Sequence, residues 1–111
     1  QLRLGVQSIQ LKSAKKVKLT FVNPDAPPHN ITTVKPDTAD KVAAAAIALG
    51  ADGFKKEFIP NTDDILHHSK MLERRQSQTL EFKAPTTPGK YPFICTFPGH
   101  DKVMRGFFEV K

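Results

Sequence analysis

The ten residues Cys95-Thr96-Phe97-Pro98-Gly99-His100-Asp101-Lys102-Val103-Met104 hold the densest group of side chains able to bind a metal ion. Cys95 closes an apolar, strand-like run, His100 follows a Pro-Gly turn, and Met104 stands directly before another strand-like run. A loop tied at both ends to paired strands can aim several side chains at one point, and Pro98 stiffens its middle.

Thiolate, imidazole and thioether together make a soft donor set. Sulfur suits Cu(I), imidazole suits both oxidation states, and one thiolate with two imidazoles and a weak axial thioether is the pattern of a type 1, or blue, copper site. A geometry that compromises between the two states lets the ion change charge with little rearrangement. The chemistry expected is therefore one-electron transfer at a single copper ion cycling between Cu(II) and Cu(I). The second imidazole has three candidates, His29, His67 and His68. His29 follows the rigid Pro27-Pro28 and precedes the candidate strand Ile31 to Val34, at a strand end where a sandwich gathers its loops. His67 and His68 lie within a strand-like run, where their side chains would project to opposite faces. His29 is the preferred candidate. The other two read most simply as surface or rim residues, the alternative being a proton-linked effect or an adventitious metal.

With one cysteine in the chain there is no internal disulfide, so Cys95 is a free thiol, a metal ligand, a nucleophile or a plain core residue. A thiol hydrolase pairing Cys95 with His100 would want a partly exposed, electropositive thiolate, whereas Cys95 ends an apolar strand. A structural zinc site would want cysteine, histidine or carboxylate in every position, and Met104 is a poor fourth ligand. A nucleic-acid binder would account for the positive charge, but no binding signature appears and the aromatics fall on predicted inner faces. A copper enzyme would need an open coordination position or a second metal site, and no further histidine cluster supplies one, so the domain alone is read as a non-enzyme. Closer rivals are a copper-holding or sensing module, or an electron-relay domain of a larger oxidoreductase.

The elements that must position these residues are mostly strands. From Lys16 to Val22 the chain alternates, with Val17, Leu19 and Phe21 on one face and Lys16, Lys18 and Thr20 on the other. Ser8 to Lys12, Thr79 to Lys83 and the run carrying Tyr91, Phe93 and Cys95 show the same period; Ile31 to Val34, Ile65 to Leu72 and Arg105 to Val110 are further candidates. Asn23-Pro24-Asp25, Pro85 to Gly89 and Pro98-Gly99 supply turns between them. Thr38 to Leu49 is alanine-rich, with Asp37 or Thr38 as the N-cap and Gly50 as an αL terminator, which predicts one helix. It lies in an excursion from about Lys35 to Asp64. The fold expected is all-β: a Greek-key sandwich of about seven or eight strands with one helical insertion crossing outside it.

A length of 111 residues fits a single domain, residues 1–111, with one core. A hydrophobic content of 39% against 25% charged, with no apolar run near the ~18 residues of a membrane span, excludes both disorder and an inserted helix. No leader precedes the domain and Gln1 is not an initiator methionine, so the chain reads as a processed product or a domain excised from a larger protein. The net charge is +6, and Arg3, Lys12, Lys15, Lys16 and Lys18 all precede the first acid, Asp25. Lysines on outer strand faces keep a sheet soluble and blunt its edges; an acidic partner is the functional alternative.

The run Cys95-Thr96-Phe97-Pro98-Gly99-His100, with Met104 four residues on and Arg105-Gly106 opening a closing strand, resembles the copper loop of azurin and its cupredoxin relatives. His29-Asn30 is similar to the His-Asn pair of the same family, and the likeness extends from about Lys16 to Lys111. It implies that His29, Cys95 and His100 are the strong copper ligands and Met104 a distant axial one. It implies further that Asn30 ties the two ligand-bearing segments together through Thr96, and that the backbone N–H groups of Asn30 and Phe97 donate to the Cys95 sulfur. Periplasmic or otherwise extracytoplasmic residence follows from the same likeness. Where azurins place a glycine whose carbonyl faces the metal, this chain has Pro28, and the azurin disulfide and buried tryptophan are missing. Around His100, the residues Pro27, Pro98 and Val103, with Ala26, Pro28 and Phe97, form a candidate apolar rim where a redox partner would dock.

Overall fold

The computed structural model describes residues 8–23, 28–53, 55–97 and 105–111. Seven strands are seen among them: β1 (Ser8–Leu11), β2 (Lys16–Val22), β3 (Thr32–Val34), β4 (Ile65–His68), β5 (Ser77–Lys83), β6 (Gly89–Ile94) and β7 (Arg105–Val110). They form two sheets, one of five strands in the order β1-β7-β6-β3-β4 and one of the pair β2-β5. β1 runs parallel to β7, and every other pairing is antiparallel. A helix, α1 (Ala39–Ile47), followed by a 3₁₀ turn at Gly50–Asp52, crosses between β3 and β4.

Alternation decides which face each strand buries. On β2 the lysines and Thr20 are exposed while Val17, Leu19 and Phe21 turn inward, and β5 answers with Leu80 and Phe82 in register with Leu19 and Val17. Phe21, Ile31, Leu72, Phe93, Cys95 and Phe108 form the core between the sheets. A second core lies on the other side of the five-stranded sheet, where Ala39, Val42 and Ala43 of α1 cover Val34 and Ile94. The helical insertion therefore packs outside the sandwich, as its sequence position predicts.

Local departures from the sequence expectation have identifiable causes. The run Ile65 to Leu72 does not pair continuously: β4 stops at His68 because the buried hydroxyl of Ser69 accepts the Ile31 N–H (3.0 Å) while the Ser69 N–H donates to the Ile31 carbonyl (2.9 Å). A side chain thus replaces a backbone partner, and β3 begins at Thr32 instead of Ile31. Leu72 rejoins the pairing at one rung, opposite His29. β6 ends at Ile94, one residue short of Cys95, and β5 starts two residues early at Ser77. Helix α1 is shorter than Thr38 to Leu49. Thr38 is the N-cap, but its hydroxyl donates to the Lys35 carbonyl (2.7 Å) and caps no helical N–H. At the other end Gly50 adopts the left-handed conformation expected of it (φ +55°), and the chain continues from there into the 3₁₀ turn.

Candidate metal centre

His29 is held by its backbone. Its N–H donates to the Leu72 carbonyl (3.0 Å) and its carbonyl accepts the Leu72 N–H (2.8 Å), a two-bond rung that fixes where the imidazole starts. Cys95 is set by the strand before it: Phe93 and Cys95 enter the inner core, while Ile94 between them enters the core beneath α1. Ile94 pairs with Arg105 across β6 and β7, so the two residues that flank positions 95–104 in sequence sit on a single rung. Both ends of the loop are thereby anchored.

These two supports bring the Cys95 Sγ to 3.5 Å from the His29 Nδ1. Cys95 is fully buried and His29 is 5% exposed, so both donor atoms are largely removed from water. Asn30 fixes the separation of the segments that carry them. Its Oδ1 accepts the Thr96 N–H (2.9 Å) and its Nδ2 donates to the Thr96 hydroxyl (2.7 Å), the linkage that the resemblance implied. The same Nδ2 reaches the Glu57 carbonyl at 3.4 Å.

That last contact belongs to a part of the site that sequence reasoning missed. Glu57 and Phe58, at the end of the helical excursion, both have positive φ (53° and 55°), a conformation that costs non-glycine residues energy. The bend lays the Phe58 ring edge-on against Phe97, with ring centroids 5.3 Å apart. Gly53 accommodates it, because a Cβ there would lie only 2.0 Å from the Phe58 ring. The excursion therefore braces the loop that begins at Cys95. The one signal for this in the sequence is the apolar pair Phe58-Ile59 after the charged run Lys55-Lys56-Glu57, which does not say what it touches.

Of the remaining expected site residues, Pro28 is half-buried next to His29, and Pro27, Pro98, His100, Val103 and Met104 lie outside the described residues. Among the described residues no third histidine, cysteine or carboxylate joins the His29–Cys95 pair. His67 is elsewhere, stacked on Phe82 with ring centroids 4.5 Å apart. Burial holds its imidazole below the ordinary histidine range, and the adjacent His68 adds to the effect. His68 is exposed, with its Nδ1 3.0 Å from the Ser69 carbonyl. The stacked, half-buried His67 and the exposed His68 thus differ in surroundings, as neighbouring positions on a strand should.

A desolvated thiol beside an imidazole, with no carboxylate among the described residues, suits a soft or borderline transition metal and not a hard, oxygen-seeking cation. Copper fits this donor pair.

Comparison with known proteins agrees. The model of the copper-binding proteins of the plastocyanin/azurin family matches residues 2–111. Auracyanin-B of Chloroflexus aurantiacus is 35% identical over 97 residues, 84% of this chain and 40% of that protein, so the chain spans less than half of that relative's length. Azurin of Pseudomonas aeruginosa is 25% identical over 118 residues, 100% of this chain and 79% of azurin. In structure, the reduced auracyanin of Roseiflexus castenholzii superimposes with a TM-score of 0.85 at 33% identity, covering 98% of this chain and 89% of that one. With the copper-loop sequence, the two-sheet fold and the buried His-Cys pair all in agreement, the chain belongs to the plastocyanin/azurin family of copper-binding proteins and is an azurin-like cupredoxin with one copper ion as its cofactor.

Proposed function

We propose that this domain carries single electrons, with His29, Cys95, His100 and Met104 as the ligands of its copper. The observation that carries the reading is the 3.5 Å approach of Cys95 Sγ to His29 Nδ1 inside a desolvated pocket. Bound copper supplies the one-electron couple between Cu(II) and Cu(I). The protein's part is to hold its donors still. His29 is pinned to Leu72 at two backbone hydrogen bonds, Asn30 clamps Thr96, and Phe58 backs Phe97, so neither His29 nor Cys95 shifts without disturbing these contacts. Donors fixed in this way disfavour the rearrangement that would slow an exchange of charge. In support, the auracyanin with a similar fold is described as reduced by sodium dithionite.

The reading makes the domain a carrier and not an enzyme, resident outside the cytoplasm. A redox partner approaches near His100 over the rim of Pro27, Pro98 and Val103. Residues 1–111 act as one unit, and because the chain spans 40% of Auracyanin-B, a relay domain within a larger extracytoplasmic protein is the second reading. No helix among the described residues is long and apolar enough to cross a membrane.

The test is to add one equivalent of Cu(II) to the metal-free chain and record visible absorption and electron paramagnetic resonance. An intense thiolate-to-copper band with narrow hyperfine splitting is expected, lost in Cys95→Ser and kept, at a shifted potential, in Met104→Leu. Colour that survives Cys95→Ser would overturn the assignment.

A further inference from the structure

The chain's charge is unevenly placed. Three segments meet at the end of the sandwich remote from Cys95: residues 11–16, 83–90 and 110–111. They are joined by Ala14 N–H to the Pro85 carbonyl (3.2 Å), Ala84 N–H to the Lys15 carbonyl (2.8 Å) and Lys111 N–H to the Leu11 carbonyl (2.9 Å). Together they contain six lysines, Lys12, Lys15, Lys16, Lys83, Lys90 and Lys111, and no aspartate or glutamate. All six are exposed. The rest of the chain has 11 basic and 11 acidic residues, so this one end carries the whole net charge of +6. The first carboxylates beyond it are Glu81, opposite Lys18, and Glu109, opposite Lys90.

Solubility alone does not require this arrangement. Lys16 and Lys83 are direct cross-strand partners on β2 and β5, a placement of like charges that costs stability. Lys12 and Lys15 lie in the turn between β1 and β2, where no strand edge needs blunting. Among the described residues, the ion pairs found, Lys41–Asp64 and Arg105–Asp40, leave all six lysines out.

We propose that this basic end docks on an anionic lipid surface. Its chemistry favours a lipid surface over an acidic protein. The charges are lysines, hydrated point charges suited to a diffuse negative field, and the three segments contain no arginine. Protein interfaces draw their energy from buried tryptophan, tyrosine and arginine; the large apolar side chain exposed among the described residues is Ile47, on α1 and outside these three segments, and the adjoining Tyr91 is half-buried with its hydroxyl donated to the Thr87 carbonyl (2.7 Å). Docking in this way leaves the metal centre free. β6 runs from Gly89 at the basic end to Ile94 beside Cys95, so the metal-bearing end stands about one strand length, roughly 20 Å, from the lipid and faces away from it.

The experiment is co-sedimentation of the full chain with phosphatidylcholine vesicles, with and without phosphatidylglycerol, at low and high salt. Binding is expected only to the phosphatidylglycerol vesicles and only at low salt. At on the order of fivefold in partitioning per lysine, the combined variant Lys12→Gln, Lys15→Gln, Lys16→Gln and Lys83→Gln should bind at least ~100-fold more weakly. Lys→Arg at the same four positions should keep binding. A variant of equal net charge, Lys35→Gln, Lys55→Gln, Lys56→Gln and Lys70→Gln, should stay close to the parent. Circular dichroism checks that each variant folds. Equal loss in both glutamine variants would make net charge the cause and overturn the proposal. So would absence of binding to the anionic vesicles, including the case in which an acidic protein binds this end instead. No arm uses copper, so failure here is separable from failure of the electron-transfer reading.

Discussion

Ile94 and Cys95 are consecutive residues that belong to different cores. Cys95 enters the core between the sheets with Phe93, Phe108, Phe21 and Ile31, while Ile94 meets Val42 and Ala43 of α1 on the outer side of the same strand. The inner core is built from strands of both sheets and includes the thiol itself. The outer core is a helix laid on one sheet with small residues, three of the five buried members being Ala39, Ala43 and Val42. Cys95 thus inherits its position from a tightly interlocked environment. The helix contributes mainly to stability, and it is the later part of the excursion, past the 3₁₀ turn, that reaches the site through Glu57 and Phe58.

If that division holds, the two cores should answer differently to truncation. Phe93→Ala has the largest expected effect: it removes a ring packed 5.1 Å from Phe108 in the layer that holds Cys95, at a cost of about 3–5 kcal/mol. Urea unfolding of the metal-free chain measures the loss, and the copper-loaded variant should have weakened colour. Asn30→Ala comes next. It leaves the buried Thr96 N–H and hydroxyl without their partner, which costs about 2–4 kcal/mol and loosens the two ligand segments together. A change below ~1 kcal/mol would mean that water replaces the amide and that Asn30 is not a clamp.

How much of this was legible beforehand follows from what sequence periodicity reports. Alternation marks which side of a local segment is apolar, and so β2 and β7 have the bounds expected of them, and Phe93 and Cys95 share a face. It is silent on what a segment meets. The interruption of β4 came from the Ser69 hydroxyl, and Thr38, the expected N-cap of α1, makes no side-chain cap because its hydroxyl found the Lys35 carbonyl; both are choices between competing hydrogen bonds. The approach of His29 to Cys95 spans 66 residues. Residue chemistry nominated both, and strand ends made a meeting plausible, but pairing Asn30 with Thr96 rested on family likeness. Phe58 was invisible because its role depends on two positive-φ residues and on a ring in a distant loop.

Val42→Ala probes the outer core. Val42 is 1% exposed, yet its truncation removes only two carbons against small neighbours, so a loss of about 1–2.5 kcal/mol is expected in urea unfolding. The contrast with Phe93→Ala is sharper in the colour than in the stability. The copper spectrum of Val42→Ala should match the parent's, and a clear change in it would show that the helix layer sets the ligand geometry after all.

The smallest expected effect lies at the rim of the inner core, where His67 stacks on Phe82 and Phe82 meets Phe108 edge-on. Burial first, and His68 second, hold the His67 pKa below its ordinary 6.5, so the folded chain resists a proton that the unfolded chain accepts. The unfolded state binds more protons as pH falls through ~6.5, and by linkage stability must fall with it. The contribution is fully present above that range and is lost progressively down to the lowered folded value. His67→Gln removes the titration while keeping a polar side chain. The fall in urea midpoint between neutral and mildly acidic pH should therefore be shallower in His67→Gln than in the parent. Parallel slopes would place the acid sensitivity in other histidines and leave the rim of the inner core as inert to pH as the alanine-lined core under α1.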